Sequence, residues 1–246
     1  SVLIAHQKTT QEKLYSWFAY LITGLGCGLA AFIVDFIVEE LVMLKWELSQ
    51  HVMHSSSLHS GMLVFVTLSV LFGTTSAALC VYLGPGAIAS GLAELMAYMN
   101  GVNYPNFLTY STLFVKIFAL GLSVAAGLCV GKEGPLAHIG AIIGIATLYL
   151  PINFFKKFRT ESTKRELACA GAAAGVSAAF AAPIGGTLFM YETTRPSTFW
   201  SFELTWKIFF CSSISTFVLN IFSCIKQGED ISITNAGLIK FGSYDS

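Results

Sequence analysis

The residue with the clearest chemical potential is Glu133, in Val130-Gly-Lys-Glu-Gly-Pro-Leu-Ala-His-Ile-Gly140. It stands between two apolar stretches, and an ionisable group at membrane depth costs several kcal/mol unless it faces water, an ion or a partner. Glycine on either side lets a ligand approach the backbone, and Pro135 suits the first turn of a helix running to about Leu150. The N-terminus of such a helix offers free N–H groups and a partial positive charge, which attract either an anion or the Glu133 carboxylate itself. A carboxylate that occupies an anion site when ionised and leaves it when protonated is both gate and proton carrier. The plain alternative is a surface-turn ion pair between Glu133 and Lys132. A second break, Gly84-Pro85-Gly86-Ala87, precedes a helical stretch of about 13 residues to Asn100, whose start is another anion-attracting end near Pro85. Gly-Pro-Gly alone also reads as an ordinary turn.

The elements around these breaks follow from where charges are missing. No Asp, Glu, Lys or Arg occurs in 14–34, 48–93, 95–115, 134–155, 167–191 or 208–225. A bilayer-crossing helix needs about 20 mostly apolar residues, so the chain reads as an all-α, multi-pass membrane protein. Residues 14–34 make one span, with Trp17 and Tyr20 near an interface, and 61–83 make another. The stretch 111–130 ends at the Glu133 break, and Pro183–Tyr191 is too short to cross. Short helices interrupted by Gly and Pro are a transporter signature, because they leave backbone donors at membrane depth.

Composition agrees. Of 246 residues, 54% are hydrophobic and 11% charged, against about 25% charged in a soluble domain. Fourteen basic and fourteen acidic residues cancel, which argues against a nucleic-acid partner or a disordered chain. Six cysteines without a C-x-x-C pair suggest neither a disulfide framework nor zinc. His51, His54 and His59, in Glu39–Ser60, lack a carboxylate or thiolate frame and read as solvated loop residues rather than metal ligands. No metal and no cofactor is expected.

Lys156, Lys157, Arg159, Lys164 and Arg165 outnumber Glu161 and Glu166 in the loop 151–166, which places that loop in the cytoplasm by the positive-inside tendency. Residues 1–13 read as a cytoplasmic N-terminal segment and 14–246 as the membrane domain. The pairs Gly24/Gly28, Gly140/Gly144 and Gly171/Gly175 put small residues on one helix face and indicate close packing. Ser177 and His138 raise the question of an intramembrane hydrolase. With no oxyanion hole in view, Ser177 is better read as bonding to its own helix and packing against a neighbour.

Three segments carry a family resemblance: GKEGPLAHIGA at 131–141, the Gly-Pro-Gly at 84–86 with AELMAYMNGV at 93–102, and KRELACAGAAAGVSAAFAAPIGGTLFMYE at 164–192. Over about residues 60–222 the chain resembles the CLC chloride channels and anion/proton exchangers, most closely the plant and algal branch. The resemblance implies a homodimer in a lipid bilayer, each subunit with its own pore built from two inverted halves, of which this chain is like the first. It implies that Glu133 is the gating glutamate, with Gly134 at the helix start beside it. It further implies that Gly84–Ile88 matches the family's G-S-G-I-P, making Pro85, Gly86 and Ala87 anion-binding positions. Pro85 then replaces a chloride-binding serine, which in plant members goes with nitrate preference. The internal proton-transfer glutamate of the family's exchangers matches Thr193, preceded by Glu192, for which Arg195 is a partner within reach. Threonine does not titrate in the physiological range, so protons reach Glu133 by water or Glu192, or the protein is a passive channel. The resulting expectation is transport of chloride or nitrate, coupled to proton counter-transport, by a non-enzymatic membrane protein; the alternatives are a passive voltage-gated chloride channel and, more remotely, a non-transporting membrane scaffold.

Overall fold

The computed structural model describes residues 10–55, 57–151, 159–194 and 200–227. Eight α-helices are seen among them: α1 (Thr10–Ser55), α2 (Leu58–Leu83), α3 (Leu92–Met99), α4 (Tyr110–Ala125), α5 (Glu133–Leu148), α6 (Glu161–Phe180), α7 (Pro183–Thr194) and α8 (Phe202–Gln227). A single 3-10 turn, Pro85–Ala87, joins α2 to the bend before α3. The described residues contain no strand. Among the described residues three helices are long and apolar enough to cross a membrane, within Leu14–Ser55, Leu58–Leu83 and Phe202–Lys226. Helices α4 and α5 are apolar but shorter, at 16 residues each.

Several boundaries differ from the sequence expectation, each for a local reason. The first span does not end near residue 34, because neither Gly nor Pro occurs from Leu29 to Ser55. Its Leu, Glu and Lys residues favour helix, so α1 continues for 46 residues, roughly 70 Å at 1.5 Å per residue. His51 and His54 therefore lie in α1 and His59 in α2, not in a loop. Helix α2 opens at a capping box in which the Ser57 hydroxyl accepts from the Ser60 N–H. The stretch after Gly84 does not form 13 residues of helix. Ala89 and Gly91 are left-handed, with φ of 58° and 79°, which interrupts any right-handed helix and delays α3 to Leu92, leaving it eight residues. At the other break the helix starts two residues earlier than expected, so Glu133 and Gly134 belong to the first turn of α5.

Helices α5 and α6 form the centre. From Leu167 to Ala178 every residue of α6 is buried, which the run of Ala, Gly, Ser, Cys and Val after Leu167 accommodates on all sides. The glycines lie on the contact faces: a Cβ at Gly140 would fall on the Gly171 carbonyl, and one at Gly171 on the Gly140 carbonyl. Gly144 and Gly175 meet the backbone of Leu167 and Leu136 in the same way. On α1, a Cβ at Gly24 would come within 2.7 Å of the Cys211 carbonyl and one at Gly28 within 2.6 Å of the Ser215 carbonyl, both on α8. The small-residue spacing thus marks helix packing, as expected.

Ala181, with φ of 52°, ends α6, and Pro183 opens α7. Cys27, Cys169 and Cys211 are buried, and all six cysteines are free. Residues 1–9, 152–158 (which include Lys156 and Lys157), Arg195 and the stretch after Gln227 lie outside the described residues. The expectations that rest on them lie there too.

Candidate functional site

The two breaks meet. A Cβ at Gly134 would come within 2.7 Å of the Ser90 Cβ, so the bend before α3 packs directly on the first turn of α5. Beside this contact is a cavity of about 350 Å³ whose lining includes Cys80, Ala87, Ala89, Ser90, Lys116, Gly131 and Pro135. The first bond of the α5 ladder runs from the Leu136 N–H to the Lys132 carbonyl, 2.9 Å. The N–H groups of Glu133 and Gly134 therefore precede the ladder, and Pro135 contributes none.

The Glu133 side chain folds back over Gly131, where any Cβ would collide with its carboxylate. That places an acidic group against a lining residue of the cavity. The expected alternative, an ion pair with Lys132, is not formed: the Lys132 ammonium bonds Asp35 of α1 at 2.7 Å. Among the described residues no hydrogen bond or ion pair holds the Glu133 carboxylate.

Lys116 is the residue that sequence reasoning missed. It is 2% exposed and lies on α4 at the cavity wall. Its ammonium donates to the Ala89 carbonyl at 3.1 Å and to Nδ1 of His138 at 2.8 Å. A ring nitrogen that accepts from an ammonium is unprotonated, so Nε2 carries the hydrogen and donates to the Phe107 carbonyl at 3.0 Å. Phe107 also stacks on the imidazole, with centroids 4.0 Å apart. No carboxylate among the described residues forms an ion pair with Lys116; Glu94 of α3 acts on its charge from a distance without bonding it, and a buried cation not neutralised by direct contact attracts an anion. A signal existed, because Lys116 is the sole charge in the apolar run 111–130.

This network fixes the bend. Lys116 holds the carbonyl before Ser90, and the glycine after it, Gly91, lies so close to His138 that a Cβ there would collide with the ring. The Ser90 hydroxyl accepts from the Leu92 N–H at 3.3 Å.

Of the sequence-predicted anion-binding residues, Ala87 lines the cavity and Gly134 packs beside it, whereas Pro85 and Gly86 do not line it. Pro85 is exposed. Gly86 packs on the Asn106 carbonyl and near the Thr112 hydroxyl, 3.1 Å from its would-be Cβ. The serine facing Gly134 is Ser90, five residues past Pro85, because the turn at Pro85–Ala87 is not the start of α3.

Glu192 and Thr193 are not in the cavity lining. Thr193 returns its hydroxyl to the Phe189 carbonyl at 2.7 Å, and Glu192 is exposed at the end of α7. Ser177 bonds the Ala173 carbonyl at 2.7 Å and packs on Gly186, while His138 faces Lys116. The two residues of a hydrolase reading thus have separate structural partners. Among the described residues, no three His, Cys, Asp or Glu side chains are grouped to hold a metal.

Fold and site define a polytopic helical membrane protein whose broken helices meet at a cavity with a buried cation and a free carboxylate. Residues 72–240 match the family model described as voltage gated chloride channel. The chain belongs to that family.

It is 37% identical over 254 residues to human (Homo sapiens) H(+)/Cl(-) exchange transporter 7, covering 99% of this chain and 31% of that protein. It is 34% identical over 239 residues to chloride channel protein CLC-c of Arabidopsis thaliana, covering 94% and 30% respectively. These identities do not single out the plant branch. The crystal structure of a eukaryotic CLC transporter superposes with a TM-score of 0.76 at 26% identity, covering 92% of this chain and 40% of that one. A slow cyanobacterial Cl−/H+ antiporter shares the fold, with a TM-score of 0.72 at 24% identity over 84% of this chain and 46% of that one. The chain spans about a third of the length of the curated relatives it matches.

Proposed function

We propose that this chain builds part of a transmembrane anion path, with chloride as the anion and proton counter-transport coupled to it through Glu133. The observation that carries this reading is the junction of the two breaks. There the buried Lys116 ammonium, the Ser90 side chain and the α5 N-terminus surround one cavity, and an unpartnered carboxylate lies over its Gly131 edge. A buried cation and a helix N-terminus both stabilise an anion. Glu133 supplies a charge of the same sign as the anion, which competes for the site when ionised and withdraws when neutral. The nitrate expectation rested on Pro85 facing the anion; with Ser90 at the wall, a hydroxyl is present and chloride is the better reading.

The basic loop at 151–166 joins α5 to α6, and Glu133 is at the opposite end of α5. With that loop in the cytoplasm, the gate opens to the other side of the membrane. Assembly as a homodimer is carried over from the family resemblance alone.

A passive channel is the second reading, and Thr193 favours it, since its hydroxyl is bonded within α7 and provides no titrating group. Chloride and proton flux measured together separate the two, using the full-length protein in liposomes with a pH gradient and no chloride gradient. Uphill chloride movement is the expected result. Chloride conductance with no pH-driven component selects the channel, and no flux of either ion removes both readings.

A further inference from the structure

Among the described residues Glu133 has no partner although a lysine precedes it directly, and the reason is on α1. The Asp35 carboxylate bonds the Lys132 ammonium at 2.7 Å, 97 residues away in sequence. Ten residues along the same helix, the Lys45 ammonium bonds the Ala125 carbonyl at 2.6 Å, at the end of α4. Helix α1 therefore holds both ends of the turn 126–132 that delivers Glu133 to the cavity. The Asp35–Lys132 pair is about one-third exposed on each side, a setting in which ion pairs contribute little to stability. Its geometric effect is definite: it directs a cation away from the adjacent carboxylate.

We propose that Asp35 is a positioning residue for Glu133, holding the Lys132 ammonium out of reach so that the carboxylate stays free to enter or leave the anion path. This rests on the reading of Glu133 as the gate. The other charged groups around Glu133 are few. Helix α4 presents Lys116, which is engaged by His138 and Ala89, and α3 carries Glu94 in its first turn. The charges of α6 (Glu161, Lys164, Arg165 and Glu166) lie in its first two turns, and Gly175 is what it packs on Leu136 near the start of α5. Lys226 of α8 is paired with Glu39. Lys132 is thus the cation whose placement Asp35 controls.

With a gate that opens on protonation, anion flux rises as pH falls. Neutralising Asp35 releases Lys132 to pair with Glu133, which favours the ionised, closed form. Pairing with Lys132 would hold the carboxylate closed to a lower pH, so Asp35→Asn should move the midpoint of flux against pH down by about one unit. Adding Lys132→Met to Asp35→Asn should return it to the wild-type value, and Asp35→Glu should leave it there.

The assay is chloride flux against pH in liposomes containing the full-length protein, with Glu133→Gln as control. An unmoved midpoint in Asp35→Asn, or a shift that survives Lys132→Met, overturns the positioning role while leaving the gate intact. A wild-type pH profile in Glu133→Gln overturns the gate and this inference with it. Asp35→Ser provides the same reading if the amide variant fails to reach the membrane.

Discussion

The Lys116 ammonium lies 2.8 Å from Nδ1 of His138, joining the middle of α4 to the first turns of α5 beside the cavity wall. The same ammonium reaches the Ala89 carbonyl, so one cation ties together both walls of the proposed path. A neutral imidazole accepts this bond at no cost in charge, whereas a carboxylate there would cancel the attraction for an anion.

Lys116→Met keeps most of the side-chain volume and removes the charge. Two unit charges 4 Å apart interact by about 4 kcal/mol at an effective dielectric constant near 20, and each 1.4 kcal/mol is tenfold in affinity. Chloride flux per incorporated protein should therefore fall at least about tenfold. Flux equal to wild type would remove Lys116 from the path.

Gly91→Ala tests the bend independently of charge. The left-handed φ of 79° disfavours any Cβ, and the methyl group would press on the His138 ring, within 2.8 Å of its Cγ. A strained backbone of this kind costs about 1–3 kcal/mol, so the thermal midpoint in detergent should drop by several degrees. Chloride flux should fall with it, because Ser90 is displaced. A variant as stable and active as wild type would show that the bend tolerates rearrangement.

Much of this architecture was legible in the sequence because membrane burial simplifies the code. Charge-free runs located the apolar helices, and the glycine pairs at 140/144 and 171/175 announced a close helix contact that α5 and α6 then make. Glu133 stood out for the same reason, as a charge where none is cheap. What stayed hidden depended on contacts between segments far apart in sequence. Lys116 passed as an unremarked charge inside the apolar run 111–130 until its partners, 27 and 22 residues away, were placed. The position of Ser90 depended on Ala89 adopting a left-handed conformation, which no propensity foretells for alanine. Glycine and proline at 84–86 drew attention to a turn of which Ala87 alone lines the cavity, and α1 ran past its expected end because its polar residues are good helix formers.

Glu133→Gln mimics the protonated carboxyl permanently. Proton transport driven by a chloride gradient should disappear, while chloride flux stays within a few-fold of wild type and loses its dependence on pH. Retained coupling would show that protons travel by a route that avoids Glu133.

Ser90 and Pro85 make opposite predictions for anion selectivity, and the geometry separates them. Ser90 packs against Gly134 at the cavity wall, and its hydroxyl is a donor that a chloride could use. Pro85 is exposed in the turn before it and has no surface on the cavity. Ser90→Ala deletes one donor, and a hydrogen bond to a charged group contributes about 1.5–3 kcal/mol. The nitrate-to-chloride flux ratio should therefore rise by roughly tenfold or more as chloride loses its donor. Pro85→Ser adds a hydroxyl outside the cavity lining and should leave the ratio unchanged. The reverse pattern, a ratio that responds to Pro85→Ser and ignores Ser90→Ala, would put the anion at the Pro85 turn and move the selectivity site out of the cavity.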